Sequence, residues 1–146
     1  MAVSGKLYAH FAESLLEAGM GKFSTATYKV MLCTSSYTPN QDTHQDKADV
    51  DNEVSGTNYT AGGVAIASLA ATQTLNVVKI DGTDSSWATS TITARYAVIY
   101  DDTEAADADK KLVGWIDFGE DKSSETGTFQ ITWHASGILA ITVADA

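Results

Sequence analysis

The chain has 146 residues, of which 44% are hydrophobic and 19% charged, and its formal net charge is −10. This length and balance predict one folded domain over residues 1–146 and exclude a disordered chain. The acidity, with nine scattered basic residues, argues against nucleic-acid binding. No apolar run approaches the roughly 20 residues that cross a bilayer, and no secretory signal is visible. We therefore expect no nucleic-acid partner, no membrane partner and no export.

Residues 6–17 show the apolar periodicity of an amphipathic helix. Two adjoining rows at four-residue steps form the apolar stripe: Leu7, Phe11 and Leu15, with Tyr8, Ala12 and Leu16. Ser4 is the predicted N-cap, and Gly19 and Gly21 are predicted to end the helix. We expect the stripe to pack on the core, and packing against a neighbouring subunit is the alternative.

Residues 27–34 are the first predicted strand, because Tyr28, Val30 and Leu32 alternate with the opposite face. Cys33 lies in this strand and is the single cysteine of the chain. It excludes an intrachain disulfide and a thiolate metal site, and we interpret it as a small buried hydrophobic residue.

A long polar excursion follows over residues 35–63, with a short helical turn predicted near residues 43–50. We expect it to cross the outside of the sheet. It carries an acidic cluster that consists of Asp42, Asp46, Asp49, Asp51 and Glu53. Although Asp49 begins a calcium-loop pattern, the sixth position is Val54 instead of glycine and the twelfth is Thr60 instead of glutamate. A solvated acidic face is the favoured interpretation, as it is for a second acidic run over residues 101–109.

Residues 91–100 are the predicted central strand. Their even positions are all apolar or aromatic: Ile92, Ala94, Tyr96, Val98 and Tyr100. The odd positions change from polar to apolar at Ala97 and Ile99, which predicts that this end of the strand is covered on both faces.

Further strands are predicted at residues 64–71, 74–80, 85–90 and 112–118, with a turn at Asp81-Gly82 in which the glycine takes a positive φ. Residues 119–127 are interpreted as a polar turn region, and residues 128–134 and 137–143 as a hairpin. Seven or eight short strands after one helix predict a mainly β protein, an antiparallel β-sandwich or jelly roll with one N-terminal α-helix.

No reaction is indicated by the sequence. The three histidines, His10, His44 and His134, lie in different kinds of local structure, and no nucleophile, phosphate-loop or metal motif is present. Trp87, Trp115 and Trp133 could form a sugar-stacking platform, but their apolar strand neighbours favour use in the core. We therefore expect no enzyme, no catalytic residue, no cofactor and no bound metal.

Five segments in this order and spacing resemble a family of small virion structural proteins of tailed bacteriophages, most of all capsid decoration, or cement, proteins. They run from Val30 to His44, Glu53 to Gly63, Thr91 to Tyr100, Leu112 to Gly119 and Gly127 to Trp133. The resemblance implies a structural protein on the outer surface of the virion head, assembled in the host cytoplasm. Its implied partners are the major capsid protein or other virion proteins, and further copies of the chain in a homo-oligomer.

Flexible segments that order on a partner are the expected interface of such a protein. We predict them in the N-terminal arm, residues 1–6, and in the excursion, residues 35–63. The interface candidates are Met1, Ala2, Val3, Ser4, Tyr37, Pro39 and Tyr59. A tail, neck or fibre-base component is the alternative assignment, and a carbohydrate-binding adhesion module is a third.

Overall fold

A computed structural model describes residues 2–17 and 22–144. Within them the strands and the helix, in chain order, are β1 (Ser4–Leu7), α1 (Ala9–Leu16), β2 (Tyr28–Cys33), β3 (Val64–Ala65), β4 (Ala70–Thr74), β5 (Val77–Asp81), β6 (Ser85–Asp101), β7 (Leu112–Ile131) and β8 (Leu139–Thr142). One sheet has five strands in the order β1-β7-β6-β2-β3, and the other has three in the order β4-β5-β8. All the pairings are antiparallel. The predicted mainly β, sandwich-like fold with one helix near the N-terminus is confirmed.

The predicted central strand forms the second half of β6, the middle strand of the five. Its end is buried on both faces, as expected, with Ala97 and Val98 fully buried. The even positions nevertheless do not share one face: Ile92 and Ala94 join one core cluster, whereas Tyr96 joins another. A register shift between Ala94 and Tyr96 rotates the strand at this point.

Two apolar clusters lie on opposite faces of the five-stranded sheet. The larger one includes Val30, Trp87 and Phe129 from that sheet and Ile80 from the three-stranded sheet, so it fills the space between the sheets. Phe11 of α1 packs into the same cluster. The second cluster consists of Tyr8, Met31, Cys33, Tyr37, Val98, Tyr100, Leu112 and Trp115. Because Tyr37 belongs to the excursion, this loop supplies part of the cover over the outer face.

The helix is shorter than predicted because the chain enters it from a strand. Ser4 is the first residue of β1 and not an N-cap; Tyr8 occupies the N-cap position. β1 pairs with residues 114–117 of β7, so backbone bonding to the sheet replaces the predicted first helical turn. Phe11 is buried as expected, whereas Leu16 is 84% exposed. The predicted stop at Gly19 and Gly21 lies outside the described residues.

The hairpin predicted over residues 128–143 is wrong. Residues 119–131 continue β7 along β6, with Phe129 opposite Trp87. β8 instead joins the other sheet, with Leu139 opposite Ile80 of β5. The polar residues 119–127 form a strand because β6 supplies a partner for their backbone, although little of their side-chain surface is buried.

The strand predicted over residues 64–71 is also divided. β3 belongs to the large sheet and β4 to the small one, so residues 66–69 cross between the sheets. Ser68 takes a positive φ of 56° in this crossing. Gly82, for which a positive φ was expected, is required by close packing instead: an added Cβ would lie 2.7 Å from Cγ2 of Ile66.

Candidate interface surfaces

Tyr37, a predicted interface residue, is a core residue in the structure. It is 1% exposed, and its hydroxyl lies 2.8 Å from the hydroxyl of Tyr8 and 3.0 Å from Nδ1 of His44. Burial raises the pKa of Tyr37 to about 12. These hydrogen bonds join the N-terminal segment to the excursion, and the Tyr37 side chain is buried within the chain. Pro39, two residues further along the chain, is half-buried.

Tyr59, the other predicted aromatic interface residue, holds the far end of the excursion on β2. Its hydroxyl accepts a hydrogen bond from the backbone N–H of Leu32 at 2.9 Å and donates one to Oε1 of Glu53 at 2.7 Å. The same carboxylate oxygen accepts a bond from the N–H of Gly62 at 2.5 Å. Glu53 therefore bonds both Tyr59 and Gly62 through one carboxylate oxygen, and it is not a solvated acidic residue. Burial raises the pKa of Tyr59.

Cys33 is buried as predicted, with no exposed surface. Burial raises the pKa of its thiol to about 12, and the neighbouring carboxylates of Glu53 and Asp51 act in the same direction. The thiol is therefore protonated at neutral pH, and its role is to pack.

The second acidic run forms an ion-pair network instead of a fully solvated loop. Asp102 lies 2.7 Å from Nζ of Lys29 and 2.9 Å from Nζ of Lys110. Asp107 lies 2.7 Å from Nζ of Lys47 and 3.2 Å from Nζ of Lys110. Burial opposes ionisation of Asp102, but the hydrogen bonds from the two lysines outweigh it and lower its pKa. The bond from Lys47 is the main cause of the lowered pKa of Asp107.

The same network holds the predicted helical turn of the excursion, which is a short 3-10 helix over Lys47–Asp49. Oδ2 of Asp49 accepts the backbone N–H of Gln45 at 2.8 Å, and this bond is the main cause of the lowered pKa of Asp49. Asp46 pairs with Lys111 at 3.2 Å. The two acidic loops are therefore joined to each other by ion pairs. Among the described residues, no group of three or more His, Cys, Asp and Glu side chains is placed to hold a metal ion.

The N-terminal interface candidates divide between a strand and a short exposed segment. Met1 lies outside the described residues, while Ala2 and Val3 are exposed and precede β1. Ser4 is exposed but lies in β1, where it pairs with Asp117. The predicted arm over residues 1–6 is therefore corrected: residues 4–6 are the edge of the large sheet. The structure does not bring this segment together with Tyr37 or Tyr59 in one exposed surface.

An apolar groove of about 760 Å³ is lined by residues of both sheets. Its walls come from β1, from β7 and from the segment that leads into β8. The apolar lining includes Val3, Ile116, Phe118, Phe129, Ile131, Trp133 and Leu139. Lys6 and Lys122 are the charged residues of the lining, which includes no carboxylate among the described residues. This absence contrasts with the net charge of −10 of the whole chain.

β8 runs along this groove and continues past it as an edge strand. Ala140 lines the groove, whereas Ile141 is 42% exposed and Val143 64% exposed beyond it. Leu75, in the turn between β4 and β5, is 87% exposed. Asn76 of the same turn holds Val143 by a bond from its Nδ2 to the Val143 carbonyl oxygen at 2.9 Å. This edge is not among the predicted interface candidates, although the uncharged run of residues 139–143 is a signal for it.

The tryptophans do not form an exposed row. Trp87 is 3% exposed and Trp115 8% exposed, so their predicted use in the core is confirmed. Trp133 is half-buried in the groove wall, and its Nε1 donates to the carbonyl oxygen of Thr83 at 3.1 Å.

Comparison of the chain with protein-family models, with curated proteins and with solved structures returned no match. Within residues 2–17 and 22–144, no helix is long and apolar enough to span a membrane.

Proposed function

We propose that this chain is a structural protein of the virion of a tailed bacteriophage, a capsid decoration protein that binds the outer surface of the head and stabilises the junctions between capsomers. The observation that carries the proposal is the ordered resemblance of five segments to that family. These segments form β2 and its excursion, the second half of β6 and much of β7, so they belong to connected parts of one sheet.

The hydrogen bonds that hold the excursion on the sheet fit a structural protein that must resist force. Residues 35–63 are held by Tyr37 on one face of the sheet and by Tyr59 and Glu53 on β2. The acidic loops are joined by ion pairs of Asp102, Asp107 and Asp46. A cement protein binds through extended surface instead of a pocket, and loops that are held by hydrogen bonds and ion pairs offer such a surface.

The charge of the chain supports a position outside the DNA-filled shell. A net charge of −10 disfavours contact with packaged DNA and favours solubility of the free protein. The same charge favours a basic or neutral binding site on the shell, because an acidic protein associates fastest with such a surface.

Copy number in purified virions tests the proposal. We expect the protein in hundreds of copies per particle when its band is quantified against the major capsid protein on a denaturing gel. A few copies would contradict a decoration role and would instead favour a neck, tail or fibre-base component. Absence from purified virions would contradict every virion assignment. A cryo-EM map of the same particles locates the density and identifies the neighbouring protein.

The exposed N-terminal residues are tested separately in a binding assay. Deleting residues 1–3 removes Ala2 and Val3 but leaves β1 in place. If they contact the capsid, the truncated protein should keep the melting temperature of the full chain and bind particles lacking the protein less tightly. The matched control is the substitution Leu16→Ser, which removes an exposed apolar side chain from α1, outside this segment. Equal binding of the full and truncated chains would remove this segment from the interface.

A further inference from the structure

We propose that the free edge of β8 pairs with β8 of a second copy about a two-fold axis, joining two three-stranded sheets into one of six strands. Within the described chain β8 has a neighbour on one side only, β5, so its other edge presents unpaired backbone groups. Such an edge is a template for strand addition unless it is blocked.

The four edges of the two sheets are protected to different degrees. β1 carries Lys6, and β3 has only two residues, which are two common ways to prevent strand addition. β4 and β8 carry neither charge nor proline. They differ in their exposed side chains: β4 exposes alanine, threonine and glutamine, whereas β8 exposes Ile141 and continues into the exposed Val143. β8 is therefore the unprotected edge that also gains from apolar burial.

A second copy is the occupant that this edge fits, because two β8 edges carry no charge where they meet. Two copies that each carry −10 repel one another over most of their surface. The edge of β8 has no charge, and Lys6 in the adjoining groove makes no ion pair with another described residue, whereas Lys122 is already paired with Glu120 at 2.5 Å. The acidic surface of another copy is complementary to Lys6, and the β8 edges meet without like-charge contact.

The register of the pairing follows from the bonds that β8 already makes. The backbone N–H of Val143 donates to the carbonyl oxygen of Asn76 at 2.8 Å. Alternation along an antiparallel ladder then directs the backbone groups of Ala140 and Thr142 away from β5. Pairing Ala140 of one copy with Thr142 of the other uses these groups fully and places Ile141 opposite its own copy. A four-residue ladder buries little surface for a stable dimer. The apolar side chains that line the groove and Leu75 must therefore contribute contact area.

The first test uses two glutamate variants that differ only in the edge they modify. Ala140 and Thr72 both lie opposite Lys79 of β5, one on β8 and the other on β4. Light scattering after size exclusion at roughly 100 µM, sensitive to a micromolar Kd, should give a dimer for the native chain and for Thr72→Glu. Ala140→Glu should be monomeric with an unchanged circular dichroism spectrum. A monomeric native chain, or a dimer that survives Ala140→Glu, would overturn the proposal.

The second test is a cross-link across the two-fold axis. Cys33 is fully buried, so an added surface cysteine is the one accessible thiol of the described chain. Ile141 and Gln73 both lie opposite Val78, on β8 and β4. Mild oxidation should convert Ile141→Cys, but not Gln73→Cys, into a covalent dimer, because Cα atoms of a non-hydrogen-bonded pair lie within disulfide reach. Equal cross-linking of the two variants would contradict the assigned edge. Both tests use the purified protein, so their failure would leave the virion assignment standing.

Discussion

Gly63 lies where the excursion returns to β2, and its φ is +75°. An added Cβ would collide with the backbone carbonyl of Val30. Gly63→Ala should therefore lower the free energy of unfolding by more than the about 1–2 kcal/mol that a left-handed conformation costs an alanine. Gly127→Ala is the control, since its Cβ would meet the Glu125 carbonyl oxygen only at 3.7 Å. Urea unfolding followed by tryptophan fluorescence measures both, and equal losses would contradict the close approach.

Glu53 provides a second prediction, because one carboxylate satisfies two donors. Glu53→Ala leaves the Tyr59 hydroxyl and the Gly62 N–H without their acceptor, which should lower the free energy of unfolding by about 1–3 kcal/mol. Glu104→Ala removes the same charge from an exposed position in another loop. Chemical denaturation should separate the two variants. A loss in Glu104→Ala as large as that in Glu53→Ala would mean that net charge, and not the hydrogen bonds, is responsible.

The interface candidates show where inference from single residues ends. Aromatic residues in a long polar loop are the expected contacts of a partner, and Tyr37 and Tyr59 fit that pattern. Each also has one partner that is far away in the sequence: Tyr8 lies 29 residues from Tyr37, and Leu32 lies 27 residues from Tyr59. Because local pattern contains no information on such distances, exposure of these side chains could not be decided before the fold was known.

At the scale of elements, β1 separates the exposed N-terminal residues from the fold. β1 pairs with β7, and the carbonyl oxygen of Leu7 accepts a bond from Nε2 of Gln41 at 3.0 Å. Deleting residues 1–7 should therefore lower the melting temperature, because it leaves residues 114–117 of β7 without their strand partner β1, whereas deleting residues 1–3 should not. Differential scanning calorimetry of the two truncations distinguishes them. An unchanged melting temperature for the longer deletion would show that β1 contributes no stability.

The ion-pair network should give the protein an acid-sensitive contribution to stability. The pKa of Asp102 is lowered in the folded state from the ordinary value of 3.8. Its carboxylate therefore stabilises the fold at pH values above 3.8, and this contribution is lost as the pH falls through the lowered pKa. Asp102→Asn should unfold more easily at neutral pH, by about 1–3 kcal/mol. Its deficit should shrink as the pH falls below 3.8 and through the lowered pKa, where the native carboxylate also becomes protonated.

Asp109→Asn is the control for this pH profile. Asp109 is exposed in the same loop and makes no ion pair with another described residue. Its substitution should leave urea midpoints close to those of the native chain across the titration. A deficit of Asp102→Asn that stays constant from neutral to acid pH would contradict a role for its charge.

The sequence predicted the type of an element where its apolar pattern is local, but it did not predict which strands pair with each other. Residues 27–34 and 91–100 alternate strongly, and both are strands. Residues 119–127 are polar throughout, so no periodicity indicates that they pair with residues 90–94 of β6. The hairpin prediction failed for the same reason: residues 128–143 alternate and contain a turn, but their partners, β6 and β5, lie elsewhere in the chain.

At the scale of the whole molecule, composition and strand spacing were sufficient for the fold class, because both report burial averaged over many residues. They could not reveal that the small sheet leaves part of the large one uncovered. That mismatch depends on β6 and β7 being far longer than β4, β5 and β8, and strand length is set by pairing. The free β8 edge follows from the strand order of the small sheet, in which β8 is the last strand.

Hydrogen exchange should show this mismatch as a difference in local stability. Amides of β2 and of β6 from Ala97 to Tyr100 are covered on both faces and should exchange slowest. β4 and β8 are edge strands of the small sheet and should exchange fastest among the strands. If two copies pair through β8, its exchange should slow as protein concentration rises, while that of β4 should not change. Mass spectrometry of peptic fragments over a dilution series measures both strands in one sample. Concentration-independent exchange in β8 would contradict the pairing and leave the difference between the two sheets intact.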